Sequence, residues 1–297
     1  MKTFSVGPVR ERFQEVPCPL CGSRRRRPAF RGKGCRFVAC RECALVYQNP
    51  QPVFEDLKGR YGQAYFQYEI ANEDNFHRLM ELGLADVDFA GRTAGFPAGR
   101  RFLDVGCATG RLLEAMRERG WQVRGVDLCP ESAAYAAKHR GVEVFTGTLG
   151  EARFPAAGFH AVHFSHLLEH VPSPRGLLAE VRRILLPEGL AVVTTPNVDG
   201  LQARLLKDRY AYFMPGHLSY FTKRNLTGLL SGAGFSRVTA FRPVEFGLLP
   251  KLMRSRSTFS SPLHYLRWLR ISLYHLAGKM SAGSFSPTSA LVLYALK

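Results

Sequence analysis

Residues 101–127, RFLDVGCATGRLLEAMRERGWQVRGVD, constrain this chain more than any other stretch. A short apolar run containing β-branched Val105 ends at Gly106. Gly110 follows, and Leu112, Leu113 and Met116 then recur on a helical period. The order is strand, glycine turn, helix. A second apolar run from Trp121 to Val126 ends in Asp127. Two strands joined through one helix run parallel, and open parallel sheets take ligands in the crevice beyond the carboxyl ends of their strands. Asp127 stands at that end, about twenty positions after the first glycine, where a carboxylate meets ribose hydroxyls.

The glycine spacing narrows the ligand. A dinucleotide site uses G-x-G-x-x-G, whereas here Ala108 takes the second place and Arg111 the third. What remains is D-x-G-x-x-x-G from Asp104 to Gly110, which resembles motif I of the class I S-adenosylmethionine-dependent methyltransferases. Further matches follow in order over residues 100–240: Gly147-Thr148-Leu149, His166-Leu-Leu-Glu-His170-Val-Pro, Pro187-Glu-Gly189 and Thr195-Pro-Asn197. The second of these is similar to the L-x-E-H-V segment of methyltransferases of ubiquinone and menaquinone biosynthesis. Thr148 and His160 stand where relatives usually carry acidic residues.

The resemblance implies an α/β fold, a Rossmann-like doubly wound sheet of seven strands with the last one antiparallel. It also implies that Asp104, Gly106, Cys107, Ala108 and Gly110 cradle S-adenosylmethionine, with Asp127 and Leu128 at the ribose. Thr148 and Leu149 then lie at the adenine, and Ser165 and His166 complete the cofactor side. Of the four histidines around this segment, His160 and His163 alternate along a strand, one toward solvent and one toward the core. His166 and His170 fall just beyond its carboxyl end.

Cys18-x-x-Cys21 and Cys40-x-x-Cys43 form two knuckles at the spacing of a four-thiolate zinc site. They predict a small structural zinc ribbon over residues 1–52, with Cys35 as a substitute ligand and Arg24–Arg27 as an exposed basic tip. Asn49-Pro50-Gln51-Pro52 is read as the boundary, and residues 53–99 as a helical, aromatic lead-in. Tyr61, Tyr65, Phe66 and Tyr68 in that lead-in are read first as packing, with a place over the pocket as the other reading. The core then covers residues 100–243, a basic insert 244–286 and a final strand 287–297.

The loop from Met214 to Phe221, followed by Thr222 as a helix cap, resembles the zinc-ribbon branch of the family, which includes sugar-modifying enzymes. That resemblance makes His217 the first candidate general base and His170 the second. In the insert, Leu266, Leu269, Leu273 and Leu276 share a helical face. Residues 262–279 are read either as packing on the sheet edge or as a lid, a dimer element or a peripheral membrane contact.

Residues 1–60 hold thirteen Lys and Arg against five Asp and Glu, and residues 241–297 eight against one, most of the formal charge of +17. The core is therefore near neutral, and attraction to polyanions resides in the ends. No run of eighteen apolar residues exists, and the first residues lack the apolar region of a signal peptide, so a cytoplasmic protein is expected. The expected activity is methyl transfer to a small-molecule acceptor, a sugar or sugar-nucleotide before a lipid or quinone. Two other readings stay open: an RNA methyltransferase that grips phosphates with the ribbon, and a zinc-ribbon binding module without catalysis.

Overall fold

The computed structural model describes residues 11–32, 34–200, 203, 205, 210, 212–241, 262, 263, 265, 266, 269 and 290–297. The expected βαβ unit is present as β6 (Arg101–Val105), α4 (Arg111–Glu118) and β7 (Gln122–Asp127). Helix α5 (Pro130–Tyr135), prolonged by a π turn to Arg140, leads to β8 (Val144–Thr146). Then come β9 (Phe159–Ser165), α6 (Pro174–Ile184), β10 (Leu185–Pro196), β11 (Ser219–Tyr220), α7 (Lys223–Gly232), β12 (Ser236–Phe241) and β13 (Ala290–Leu296). The seven-stranded sheet has the order β12-β13-β10-β9-β6-β7-β8. β13 is antiparallel to both neighbours, while β8, β7, β6, β9 and β10 run parallel.

Alternation along the strands builds two apolar layers. Leu103, Val105, Val162, Phe164 and Val193 face Leu178 and Val181 of α6 and Leu226 and Leu230 of α7. Phe102, Ala161, Val192 and Val292 face Leu112, Leu113 and Met116 of α4, with Leu84 from α2 (Gln63–Asp86). α2 begins thirteen residues earlier than the apolar period over Phe76–Phe89 predicts, so Tyr65, Phe66 and Tyr68 lie on it. Residues 186–189 do interrupt pairing, but Leu185 already pairs with Phe159, so α6 passes into β10 without a separate turn.

The ribbon consists of β2 (Arg26–Gly32), β3 (Cys35–Cys40) and β4 (Val46–Gln48), flanked by a short pair of β1 (Phe13–Gln14) and β5 (Gln51–Pro52). Its sheet does not end at its own sequence. β11 of the core adds to it as a fourth strand, with Ser219 opposite Tyr47 and Tyr220 opposite Val46. Gln48 donates its backbone N–H to Leu218 O at 2.9 Å, and Gln51 Nε2 reaches the same oxygen at 3.4 Å. Asn49 and Gln51 are buried, so residues 49–52 are an interface and not an exposed linker.

Two expectations about the ribbon are corrected. Arg26 and Arg27 begin β2 and are not a tip, because Arg26 pairs with Cys40 at the end of the hairpin opposite Gly34, which takes φ +80°. Cys35 lies at the far end of β3, opposite Gly32, and is outside the group formed by Cys18, Cys21, Cys40 and Cys43. Of the insert, Leu263, Tyr265, Leu266 and Leu269 are exposed, which removes sheet-edge packing for Leu266 and Leu269. Leu273 and Leu276 lie outside the described residues. Among the described residues no helix is long and apolar enough to cross a membrane.

One close approach fixes the layer under β7. A Cβ on Gly125 would meet Cys107 Sγ at 2.6 Å, Leu113 Cδ1 at 2.7 Å and Val144 Cγ2 at 2.9 Å. Gly125→Ala is therefore expected to overpack the core and lower unfolding free energy by about 1–3 kcal/mol, read by urea denaturation.

Candidate active site

The glycine loop is held from below by β7. Gly106 N–H donates to Val126 O at 2.7 Å, and Ala108 N–H donates to Asp127 Oδ2 at 2.8 Å. The other carboxylate oxygen, Oδ1, accepts the N–H of Cys129 at 2.8 Å. Asp127 thus joins the ends of two strands. Ala108 sits at φ +48°, a left-handed conformation that its amide bond to Asp127 stabilises. Gly110, at φ +76°, lies where a Cβ would stand 2.9 Å from Val142 and 3.0 Å from Ala136, so only glycine lets the loop approach α5. Burial pushes the Asp127 carboxyl up to about 6 against the pull of the Cys129 and Ala108 amides.

A cover over this crevice comes from the lead-in segment. Glu69 of α2 is buried, and Ser132 Oγ donates to its Oε2 at 2.5 Å. Thr109 Oγ1, inside the glycine loop, donates to Glu73. Arg140 ties the assembly together, bonding Glu73 at 2.6 Å, Glu114 at 2.5 Å and the carbonyl of Thr109 at 3.1 Å. Tyr61 and Tyr65 pack edge to face at 4.9 Å, and the Asp127 and Glu69 charges raise both phenols further after burial. Tyr61 and Tyr65 therefore lie near Asp127 and Glu69, while Phe66 packs on Tyr135 and Tyr68 on Phe76, as the packing reading expects. Burial first, then the Asp127 charge, pushes Glu69 up to about 8.

Beyond β9 the histidines gather around one carboxylate. His166 Nδ1 lies 3.2 Å from Glu169 Oε1, and Thr195 Oγ1 donates to Oε2 at 2.9 Å. Burial alone would raise Glu169, but the His166 bond and the charges of His166, His170 and His217 hold it down to about 2. It is a carboxylate throughout the physiological range. His166 is half-buried, whereas Glu169 is 1% exposed. His170 Nδ1 is 3.0 Å from Gly216 O and so carries the proton there. His217 is buried, packed edge to face on His170 at 4.5 Å, and burial drives its imidazole down to about 3. Glu169, His170 and His217 also bring one ligand atom each within 4.8 Å of one another. The backbone carbonyl of Glu169 accepts from Leu218 N–H at 2.7 Å, which fastens the ribbon-bound loop to this turn.

The remaining sequence candidates sort by what they touch. Asp104 is buried, its Oδ1 2.7 Å from His163 Nδ1 and its Oδ2 without a hydrogen-bond partner among the described residues. His163 is thus the core histidine, while His160 accepts the Arg101 N–H at 3.0 Å at the opposite end of the strand. Cys107 and Leu149 send their side chains into the two apolar layers, so only their backbones remain for a ligand. Leu128 supplies an amide to Asp127, and Ser165 ends β9 half-buried. Thr148 Oγ1 donates to Glu151 Oε2 at 2.7 Å and accepts from the Glu151 N–H, so its hydroxyl proton is spent inside the loop. The T-x-x-E spacing is the sequence signal for that reciprocal pair. Nothing local in the sequence marks Glu69, Glu73 and Arg140, because scattered charges on helices carry no sign of a shared site.

A methyltransferase-domain family matches residues 71–240, more than half of the chain. The chain belongs to the class I S-adenosylmethionine-dependent methyltransferases. A ubiquinone biosynthesis O-methyltransferase of Chromobacterium violaceum is 31% identical over 191 residues, 56% of this chain and 82% of that one. One from Psychrobacter arcticus is 35% identical over 158 residues, 48% of this chain and 62% of that one. Among solved structures, a SAM-dependent methyltransferase from Archaeoglobus fulgidus shares the fold at TM-score 0.52 and 20% identity, covering 79% of this chain and all of that one. The cofactor of the family carries a sulfonium and an ammonium. Three buried carboxyl groups beside the glycine loop, Asp104 with its unpartnered oxygen, Asp127 and Glu69, fit such a cation.

The raised Glu69 sets a pH test. Its folded pKa lies above its unfolded one, so the native state holds a proton that the unfolded chain releases, and stability falls as pH rises toward 8. The ligand-free protein is expected to lose Tm between pH 6.5 and 8, where Glu169 and His217 no longer titrate. Glu69→Gln should flatten that slope; parallel curves for both proteins in thermal melts would refute the assignment.

Proposed function

We propose that this methyltransferase acts on a hydroxyl group of a small ring-bearing acceptor, and that His166, oriented by Glu169, removes the hydroxyl proton. Bound S-adenosylmethionine supplies a methyl group activated by its positive sulfur. The observation that carries the reading is the His166–Glu169 pair at 3.2 Å, just past the carboxyl end of β9. An ionised, buried carboxylate fixes the proton on His166 Nδ1 and leaves Nε2 free to accept one. The pair abuts the cradle, since a Cβ on Gly106 would lie 3.3 Å from Leu167. Transfer of a hydroxyl proton to Nε2 as oxygen attacks leaves an imidazolium that Glu169 stabilises, with charge balanced throughout.

This replaces His217 and His170 as the base. An imidazole held near 3 binds protons too weakly to assist, and His170 is engaged with Gly216 O. Both instead shape the wall that the ribbon anchors. Tyr212, 6.1 Å from His166 and parallel to it within 14°, offers a flat face to a ring. Oxygen as the accepting atom is supported by the relatives named for ubiquinone biosynthesis O-methylation. The H-L-x-x-F-T loop keeps a sugar ring as the second acceptor class. An RNA acceptor has less support, because Arg25 and Arg26 are already paired with Glu42 at 2.9 Å and Glu15 at 2.6 Å.

His166→Ala should lower kcat by about a hundredfold or more with S-adenosylmethionine affinity unchanged, measured with a catechol-type quinol and a sugar nucleotide as the two acceptors. Glu169→Gln should move the acidic limb of the kcat–pH profile without abolishing cofactor binding. Retained kcat in His166→Ala with every methylated acceptor would sink the role.

We further infer that the four ribbon thiols hold one structural zinc ion. Cys18 and Cys43 lie 3.4 Å apart and Cys21 and Cys40 3.5 Å, and four thiolates fill a tetrahedron without an open position. Metal analysis of the purified protein should find one zinc per chain, and Cys40→Ser should release it and lower Tm.

A further inference from the structure

A second cleft, of about 780 Å³, opens between the ribbon and helices α6 and α7. None of its lining residues belongs to the glycine loop or to the histidine cluster. The second knuckle, with Glu42 and Cys43, forms one wall, and the facing surfaces of the two helices form the floor. Volumes of this size suit a small organic molecule.

Charge collects at one end. Arg175 and Arg224 both line the cleft and have no ion-pair partner among the described residues, whereas Glu42 is taken by Arg25. Each arginine is the second residue of its helix, α6 with eleven residues and α7 with ten. The first-turn amides of Gly176 and Asn225 are taken by the caps Ser173 Oγ and Thr222 Oγ1, both at 3.2 Å, so the two helix ends contribute here through their dipoles. Asn225, which also lines the cleft, is 8% exposed; its Oδ1 accepts the Thr222 N–H while its buried Nδ2 has no acceptor.

The other end lacks side chains. Gly228 and Gly232 lie on the cleft face of α7, and a Cβ added to either would meet nothing within 4 Å. Neither has a positive φ. Glycine is the poorest helix former after proline, and nothing in the fold requires it at these two places. The bare face runs about 12 Å from Arg224 to Gly232 at the helical rise.

We propose that this cleft binds a phosphate or diphosphate ester, its anionic head between Arg175 and Arg224 and a slender chain along the glycine face of α7. Guanidinium pairs grip phosphate oxygens through two parallel hydrogen bonds, and helix N-termini add favourable dipoles. Arg175 follows His170 by five residues and Arg224 follows His217 by seven, so their Cα atoms lie within about 18 Å and 25 Å of those histidines. The chain along α7 leads away from His217, so it is a group on the other side of the anionic head that faces the active site, and the ligand is the phosphorylated carrier of an acceptor. This last step rests on the methyltransferase reading, while the cleft itself does not.

Calorimetry on the full chain separates the parts, with inorganic pyrophosphate, farnesyl diphosphate and uridine diphosphate as probes. Arg175→Ala with Arg224→Ala should weaken pyrophosphate by at least about tenfold and leave S-adenosylmethionine affinity unchanged. Gly228→Leu fills open space on a helix, so Tm should hold or rise; pyrophosphate binding should persist while the tail's added affinity is lost. Loss with farnesyl but not uridine diphosphate identifies an aliphatic chain, and the reverse a nucleoside. Pyrophosphate affinity indifferent to both arginines, or tailed probes indifferent to Gly228→Leu, would overturn the proposal. Because cofactor binding is read in the same samples, a failed cleft is distinguishable from a failed methyltransferase.

Discussion

Two amide–carboxylate hydrogen bonds at Asp127, both 2.8 Å, hold the ligand end of the sheet together. One reaches back to the loop after β6 and the other forward to the turn after β7. A charged acceptor makes each bond stronger than a neutral one would be, which offsets part of the cost of burying the carboxylate. From that anchor the loop takes its left-handed step at Ala108 and brings Gly110 against α5. The cover of α2 then closes on the loop through Thr109, Glu73 and Arg140. Buried carboxyl groups of Asp104 and Asp127 gather beside the loop, while Glu69 next to them holds its proton and Glu73 is paired with Arg140.

The ribbon is part of the same machine. β4 lends its edge to β11, and the intervening Leu218 is bonded on one side to Gln48 and on the other to the Glu169 carbonyl. His217 therefore rides on a segment gripped by both units, and Tyr220 packs with Phe37 and Phe213 across the junction. Sheet pairing of this kind ties the position of the cysteine knuckles to that of the His217 wall. A metal that rigidifies the knuckles would fix that wall without touching the reacting atoms.

Much of the core was legible because its signals are local or periodic. Glycine spacing, the alternation of strands and the C-x-x-C pairs each lie within a few residues and announced the βαβ unit, the sheet and the ribbon. The cover was not legible, since Glu69 and Ser132 meet only after α2 folds across α5, sixty-three residues apart. Nor was the choice among the histidines, which depends on burial: His217 and His166 look equally available in sequence, yet one is sealed and the other half-open beside a carboxylate. Thr148 shows the opposite case, where the T-x-x-E spacing is legible in the sequence and its hydroxyl is bonded to Glu151 and not left for a ligand. The small residues of α7 carry no pattern until the cleft above them is seen.

Asp127 braces the loop through its bond to Ala108, and the proposed second role of the same carboxylate is to anchor the cofactor. Titration of S-adenosylmethionine into the wild-type chain and Asp127→Asn, followed by calorimetry on samples whose Tm shows them folded, tests that claim most directly. The expected result is a saturable cofactor signal in the wild type that weakens by about tenfold or more when the charge is removed. Equal affinity in the two proteins, or no binding to the wild type, would contradict it.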